Sequence, residues 1–93
     1  MSSFIKQFVK TKMKQLSADE LLHYAHEYNF SISRKQANAI TSYLQTHTVD
    51  PFSSRSRKKM FRELARITDE NTAKKAEKLF QETIKAYGLE HLF

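Results

Sequence analysis

The chain of 93 residues has no cysteine and no tryptophan, and only one glycine and one proline. Without cysteine there is no disulfide, no thiolate nucleophile and no thiolate zinc site, so packing alone must hold the fold, and a cytoplasmic, reducing setting is expected. Glycine and proline fall far below their ordinary usage of roughly 7% and 5%, which argues against a hairpin-rich β fold and against flexible linkers. A single glycine also cannot build a phosphate-cradling loop or a Gly-Xaa-Ser-Xaa-Gly nucleophile turn. Aliphatic and aromatic runs never exceed three residues, against the roughly 20 apolar residues of a bilayer-spanning helix. Lys6, Lys10, Lys12 and Lys14 are spread among the apolar positions of residues 1–16, so a secretory signal is not expected there.

What remains is a charged, helix-forming chain with a net charge of +6. Its length suits a single domain over residues 1–93 with one core. The charge is unevenly placed. Residues 1–16 carry four lysines and no acid, residues 17–32 carry Asp19, Glu20 and Glu27 with no lysine or arginine, and residues 51–67 carry six cations against Glu63. Two basic segments therefore flank an acidic one, a distribution that favours an acidic partner such as nucleic acid, an anionic membrane surface or an acidic protein.

Apolar spacing and end signals predict helices joined by short connections. In residues 3–15, Phe4, Ile5, Phe8, Val9 and Met13 share one broad side with Leu16 just beyond. Ser17 and Glu20 have capping-box spacing, as do Ser33 and Gln36, so a helix starts at each. Asn29 and Gly88 are left-handed stops. Asp50-Pro51 reads as an N-cap followed by proline at the first helical position, with Pro51 to Ser54 as an alternative separate turn, and Thr68 or Asp69 caps the last helix. The inward positions are Leu21, Leu22, Tyr24, Ala25 and Tyr28, then Ala37, Ile40, Tyr43 and Leu44, then Met60, Leu64 and Ile67. Ala73, Ala76, Leu79, Phe80, Thr83, Ile84 and Tyr87 complete them. The fold class is all-α, a compact bundle of four main helices with room for an extra short turn at Pro51 to Ser54.

No reaction is legible. His26-Glu27 opens like a zinc-protease helix, but the position of the second histidine is Phe30, so the ligand set is missing. Asp19, His23 and His26 are ordinary polar-face residues, and no metal or cofactor is expected. The acidic residues Glu77 and Glu82 have lysines three or four residues away, the spacing of intrahelical ion pairs. Arg34, Lys35, Asn38, Ser42 and Gln45 share a face after a short turn, as in a helix-turn-helix protein. The connector is too long, however, and the positions that should be buried fall near polar Lys35 and Asn38.

The strongest binding feature is the stretch 55–67. At about 100° per residue, Arg55, Lys58, Lys59, Arg62 and Arg66 fall within an arc of roughly 100°, opposite Met60, Leu64 and Ile67. Such a helix docks on a core and still offers a positive face, able to contact phosphates without reading sequence. A second candidate surface is Phe4 and Phe8 with Lys12, which stands inside the apolar arc of the first helix.

The segments LSADELLHYAHEYNFSISRKQANAITSYL and ITDENTAKKAEKLFQETIKAYGL resemble a small uncharacterised family of Bacillus-type bacteria, the YqfT-like proteins. The likeness lies in helix caps and in core positions such as Ala37, Leu79 and Phe80. It implies a cytosolic, all-helical bacterial protein and brings no chemistry with it. The expected function is a non-enzymatic protein–protein interaction module, its partner another protein or a second copy, with nucleic-acid binding through the basic face as the alternative. No small-molecule substrate is evident.

Overall fold

The ends of the helices are set by side chains that satisfy free backbone groups. A computed structural model describes residues 2–93, with side chains from residue 4 onward, and contains α1 (Ser2–Gln15), α2 (Ala18–Glu27), α3 (Arg34–Thr46), α4 (Ser54–Ile67) and α5 (Glu70–Ala86). A short 3₁₀ turn follows at Glu90–Leu92. Among the described residues there is no strand.

Both capping boxes form. The Ser17 hydroxyl accepts from the Glu20 N–H at 3.1 Å while the Glu20 carboxylate accepts from the Ser17 N–H at 3.1 Å. Ser33 and Gln36 repeat the exchange at 3.0 and 2.9 Å. Each pair removes two of the unsatisfied donors that every helix start carries. Asn29 (φ 63°) and Gly88 (φ 64°) adopt the left-handed conformation. In both places the next residue's N–H bonds back across the turn, Phe30 to Ala25 at 2.7 Å and Leu89 to Ile84 at 2.9 Å, which is the Schellman closure.

Two expectations are corrected. The chain has five helices rather than four main ones: each of the five segments read as helical, residues 3–15 included, forms a separate helix. Asp50 does not cap α4. Its carboxylate accepts from the Phe52 N–H at 3.0 Å and its carbonyl from the Ser53 N–H at 3.2 Å, so Asp50 and Pro51 open a tight turn, a role that suits the same residue pair. Ser53 caps the helix instead, accepting from the Ser56 N–H at 3.3 Å. The Ser56 hydroxyl in turn accepts from the Asp50 N–H at 2.9 Å.

The architecture is two helical hairpins, α2–α3 and α4–α5, that meet where α3 packs on α4, with α1 laid against α3. Small residues mark the closest approaches: Ala25, Ala37 and Ala73 are buried, Ala37 completely. Leu44 and Thr41 join them, the Thr41 hydroxyl donating to the Ala37 carbonyl at 3.1 Å. The 47–53 connection and the C-terminal tail add Val49, Pro51 and Leu92. Phe93 then stacks on Phe52 at 4.7 Å and meets Phe80 edge-on at 5.3 Å.

Among the described residues no large side chain is completely buried. Leu79 and Phe80 are only half-buried, and Tyr24, Tyr28, Thr83 and Tyr87 are exposed, although the apolar pattern places all of them inward. The reason is architectural. The hairpins join along α3 and α4, while α2 and α5 do not close against each other.

Candidate functional site

The gap left between α2 and α5 is an open groove of about 410 Å³. Four helices line it. Leu21, Tyr24, Ala25 and Tyr28 form the α2 wall, and Thr72, Ala76, Leu79, Phe80 and Thr83 form the α5 wall. Ile40 of α3 and Met60, Phe61 and Leu64 of α4 complete it, with Phe30 and Ile32 from the α2–α3 connection. The helical period explains the set, because residues three and four apart stand on one side. Lys75 ties the walls together at one end, donating to the Asn29 carbonyl and standing 4.7 Å over the Phe30 ring.

The rim is polar and acidic on the α2 side. Tyr24 and Tyr28 are each 51% exposed. Glu20 and Glu27 lie one turn on either side of Tyr24 and are exposed. The bonds from Ser17 to the Glu20 carboxylate, and then the nearby Lys12 charge, hold Glu20 below the usual carboxylate range, so it is ionised at neutral pH. Glu27 pairs with His23 at 3.2 Å, and Asp19 takes the Arg34 guanidinium at 2.7 Å. These partners give Asp19, His23 and His26 no common focus, and among the described residues no group of three or more acids and histidines is placed to hold a metal.

The basic face of α4 lies on the other side of that helix. Arg55, Lys58, Lys59, Arg62 and Arg66 are all exposed. Arg66 is neutralised by Glu63, its Nε donating to the carboxylate at 2.8 Å; this bond holds the Glu63 carboxyl below the usual carboxylate range and makes the Arg66 guanidinium harder to deprotonate. Among the described residues the other four cations make no ion pair. The face is nevertheless divided. Lys58 and Arg62 border a hollow shared with Glu70 and Glu77 of α5, whereas Lys59 and Arg66 border one shared with Tyr43 and His47 of the α3 end. Arg57, the sixth cation of this segment, turns the opposite way. It is half-buried, donates to the Pro51 carbonyl at 3.0 Å, and stands over the Phe80 and Phe93 rings at 5.9 and 5.5 Å.

The α1 surface is the third element. Phe4 and Phe8 are 76% and 55% exposed, with Ile5 beside them, and the Lys12 ammonium stands 5.8 Å over the Phe8 ring. Val9, Met13 and Leu16 are half-buried on the docked side. The groove itself is the feature that periodicity does not announce. Its lining residues carry the same pattern as a closed core, and the only hint is the pair of tyrosines Tyr24 and Tyr28 on one wall.

The fold and these surfaces define a small all-helical protein with an open apolar groove. The chain belongs to the family described as "Protein of unknown function (DUF2624)", which it matches over residues 1–84. It is also similar to the uncharacterised protein YqfT of Bacillus subtilis (strain 168), with 27% identity over 77 residues, covering 83% of this chain and 92% of that protein. No solved structure matches. Among the described residues no helix is long and apolar enough to cross a membrane.

Proposed function

We propose that this protein is a cytoplasmic, non-enzymatic interaction module whose α2–α5 groove takes the apolar face of a basic amphipathic helix from a protein partner. The groove carries the reading. An open channel lined by aliphatic and aromatic side chains of four helices is the receiving half of helix-in-groove recognition, and its rim tyrosines are of a type enriched where interfaces draw their energy. The partner's charge follows from Glu20 and Glu27 beside Tyr24, on a helix without lysine or arginine. The polar groups in the lining are the hydroxyls of Thr72, Thr83 and the two tyrosines, a poor set for acid–base work at neutral pH. Placing a photo-cross-linking residue at Tyr24 or Tyr28 should yield a protein adduct in the native cell, while the same residue at exposed Lys35 on α3 should not. Equal yields at all three positions would reject the groove as the contact site.

One observation favours a second reading, phosphate contact by α4: Arg55, Lys58, Lys59 and Arg62 are exposed without an ion pair among the described residues. Four contacts on duplex DNA would give a slope of log affinity against log salt of about −3.6, and replacing Arg55, Lys59 and Arg62 by Gln would flatten it by roughly 3 units. A lack of binding to duplex and single strands at low salt removes this reading.

A further inference from the structure

Resting on the groove reading, we infer that the helix filling the groove is α1 of a second copy of this chain, seated through its Phe4 and Phe8 flank. Area is the first argument. A folded monomer of 10.9 kDa is expected to expose about 5,600 Å². This chain exposes 6800 Å². The excess, on the order of 1,200 Å², is comparable to the roughly 800 Å² that each partner buries in a standard interface.

Shape is the second argument. Two concave grooves set face to face would leave a cavity between them, so an apolar ridge is required. Phe4, Ile5 and Phe8 form one, on the side of α1 that does not pack on α3. Among the described residues α1 contributes none to the groove lining, so the ridge and the groove of one chain do not cover each other. Charge is the third. On α1, Lys10 pairs with Asp50 and Lys6 lies over the Phe52 ring, which leaves Lys12 and Lys14 exposed; on α2, Asp19 is taken by Arg34, and Glu20 and Glu27 are exposed beside Tyr24. A ridge of basic character thus meets a rim of acidic character, which favours this register over groove-to-groove or ridge-to-ridge pairing. The excess area, the unpaired ridge and the opposed charges all belong to one exchange, in which each copy supplies a ridge and receives one.

Sedimentation velocity of the full chain over a concentration series tests this. Wild type should pass from monomer to dimer. Phe4→Glu with Phe8→Glu, and separately Thr83→Arg on the exposed part of the groove wall, should each weaken association on the order of tenfold or more with unchanged circular dichroism. The milder Phe4→Ala with Phe8→Ala pair should act in the same direction, which guards against a loss of α1 itself. Mixing the ridge variant with the groove variant should restore a heterodimer, since each retains the half that the other lacks. Wild type remaining monomeric at its solubility limit overturns the inference. If the Tyr24 cross-link still captures a foreign chain, the groove reading stands without it. A dimer that survives both variants and gives no Tyr24 adduct overturns both.

Discussion

Apolar positions of one helix, α3, end in opposite states. Ala37, Thr41 and Leu44 are buried. Where Ile40 points toward the space between α2 and α5, it lines an open groove with Leu79 and Phe80, all half-buried. Helical periodicity states which side of a helix is apolar. It does not state whether another element of the same chain arrives to cover that side.

The largest expected difference between the buried and the groove positions is in stability. Leu44→Ala in the buried set should cost about 2–5 kcal/mol, as large-to-small changes at buried positions do. Leu79→Ala in the groove should cost less, about 1–2 kcal/mol, because much of its surface is already in water. Denaturant unfolding at a concentration where the protein is monomeric measures both. Equal costs would mean that the groove is closed in solution.

Helix ends come next, and they contrast the two capping boxes. Ser33→Ala should destabilise by about 1 kcal/mol through loss of the α3 cap, read as a lower urea midpoint with an unchanged slope. The Ser17–Glu20 box differs from the Ser33–Gln36 box in being titratable. The bonds from Ser17 hold Glu20 below its ordinary range, and the bonds from Thr72 do the same for Asp69, the cap of α5. The unfolded chain therefore binds protons that the folded one does not. The contribution is complete above the ordinary carboxylate range and is lost as pH falls through the lowered values, between about pH 5 and pH 2. Glu20→Gln should keep the α2 box, as Gln36 does in α3, and flatten the acid limb of the stability profile. An unchanged acid limb would show that the Glu20 carboxylate is not engaged.

These contrasts separate what was legible in the sequence from what was not. Helix ends are local, so Ser17 with Glu20, Ser33 with Gln36, Asn29 and Gly88 could each be read from a few neighbouring residues, and all are found in those roles. Of the two readings of Asp50-Pro51 the separate turn holds and the N-cap does not, because a tight turn and a helix start use the same pair and Ser53 is better placed to cap. Val49 and Leu92 are buried from a loop and a tail, where no periodicity marks them. The cationic arc of α4 was visible as an angle, and its residues are exposed. Neutralisation of Arg66 by Glu63 and the inward turn of Arg57 depend on side-chain choices that spacing does not encode. The groove depended on a relation between α2 and α5, more than 40 residues apart in the chain, and no local signal carries that.

The central claim is that the space between α2 and α5 is a binding groove and not an imperfect core. Thr83→Arg tests it most directly, because Thr83 lines the groove and is exposed. With unfolding free energy and Tyr24 cross-linking measured on the same variant, the account predicts stability within about 0.5 kcal/mol of wild type and loss of the cross-linked adduct. A fall of several kcal/mol with the adduct yield unchanged would contradict it, since the arginine would then have been forced into a closed core that binds nothing.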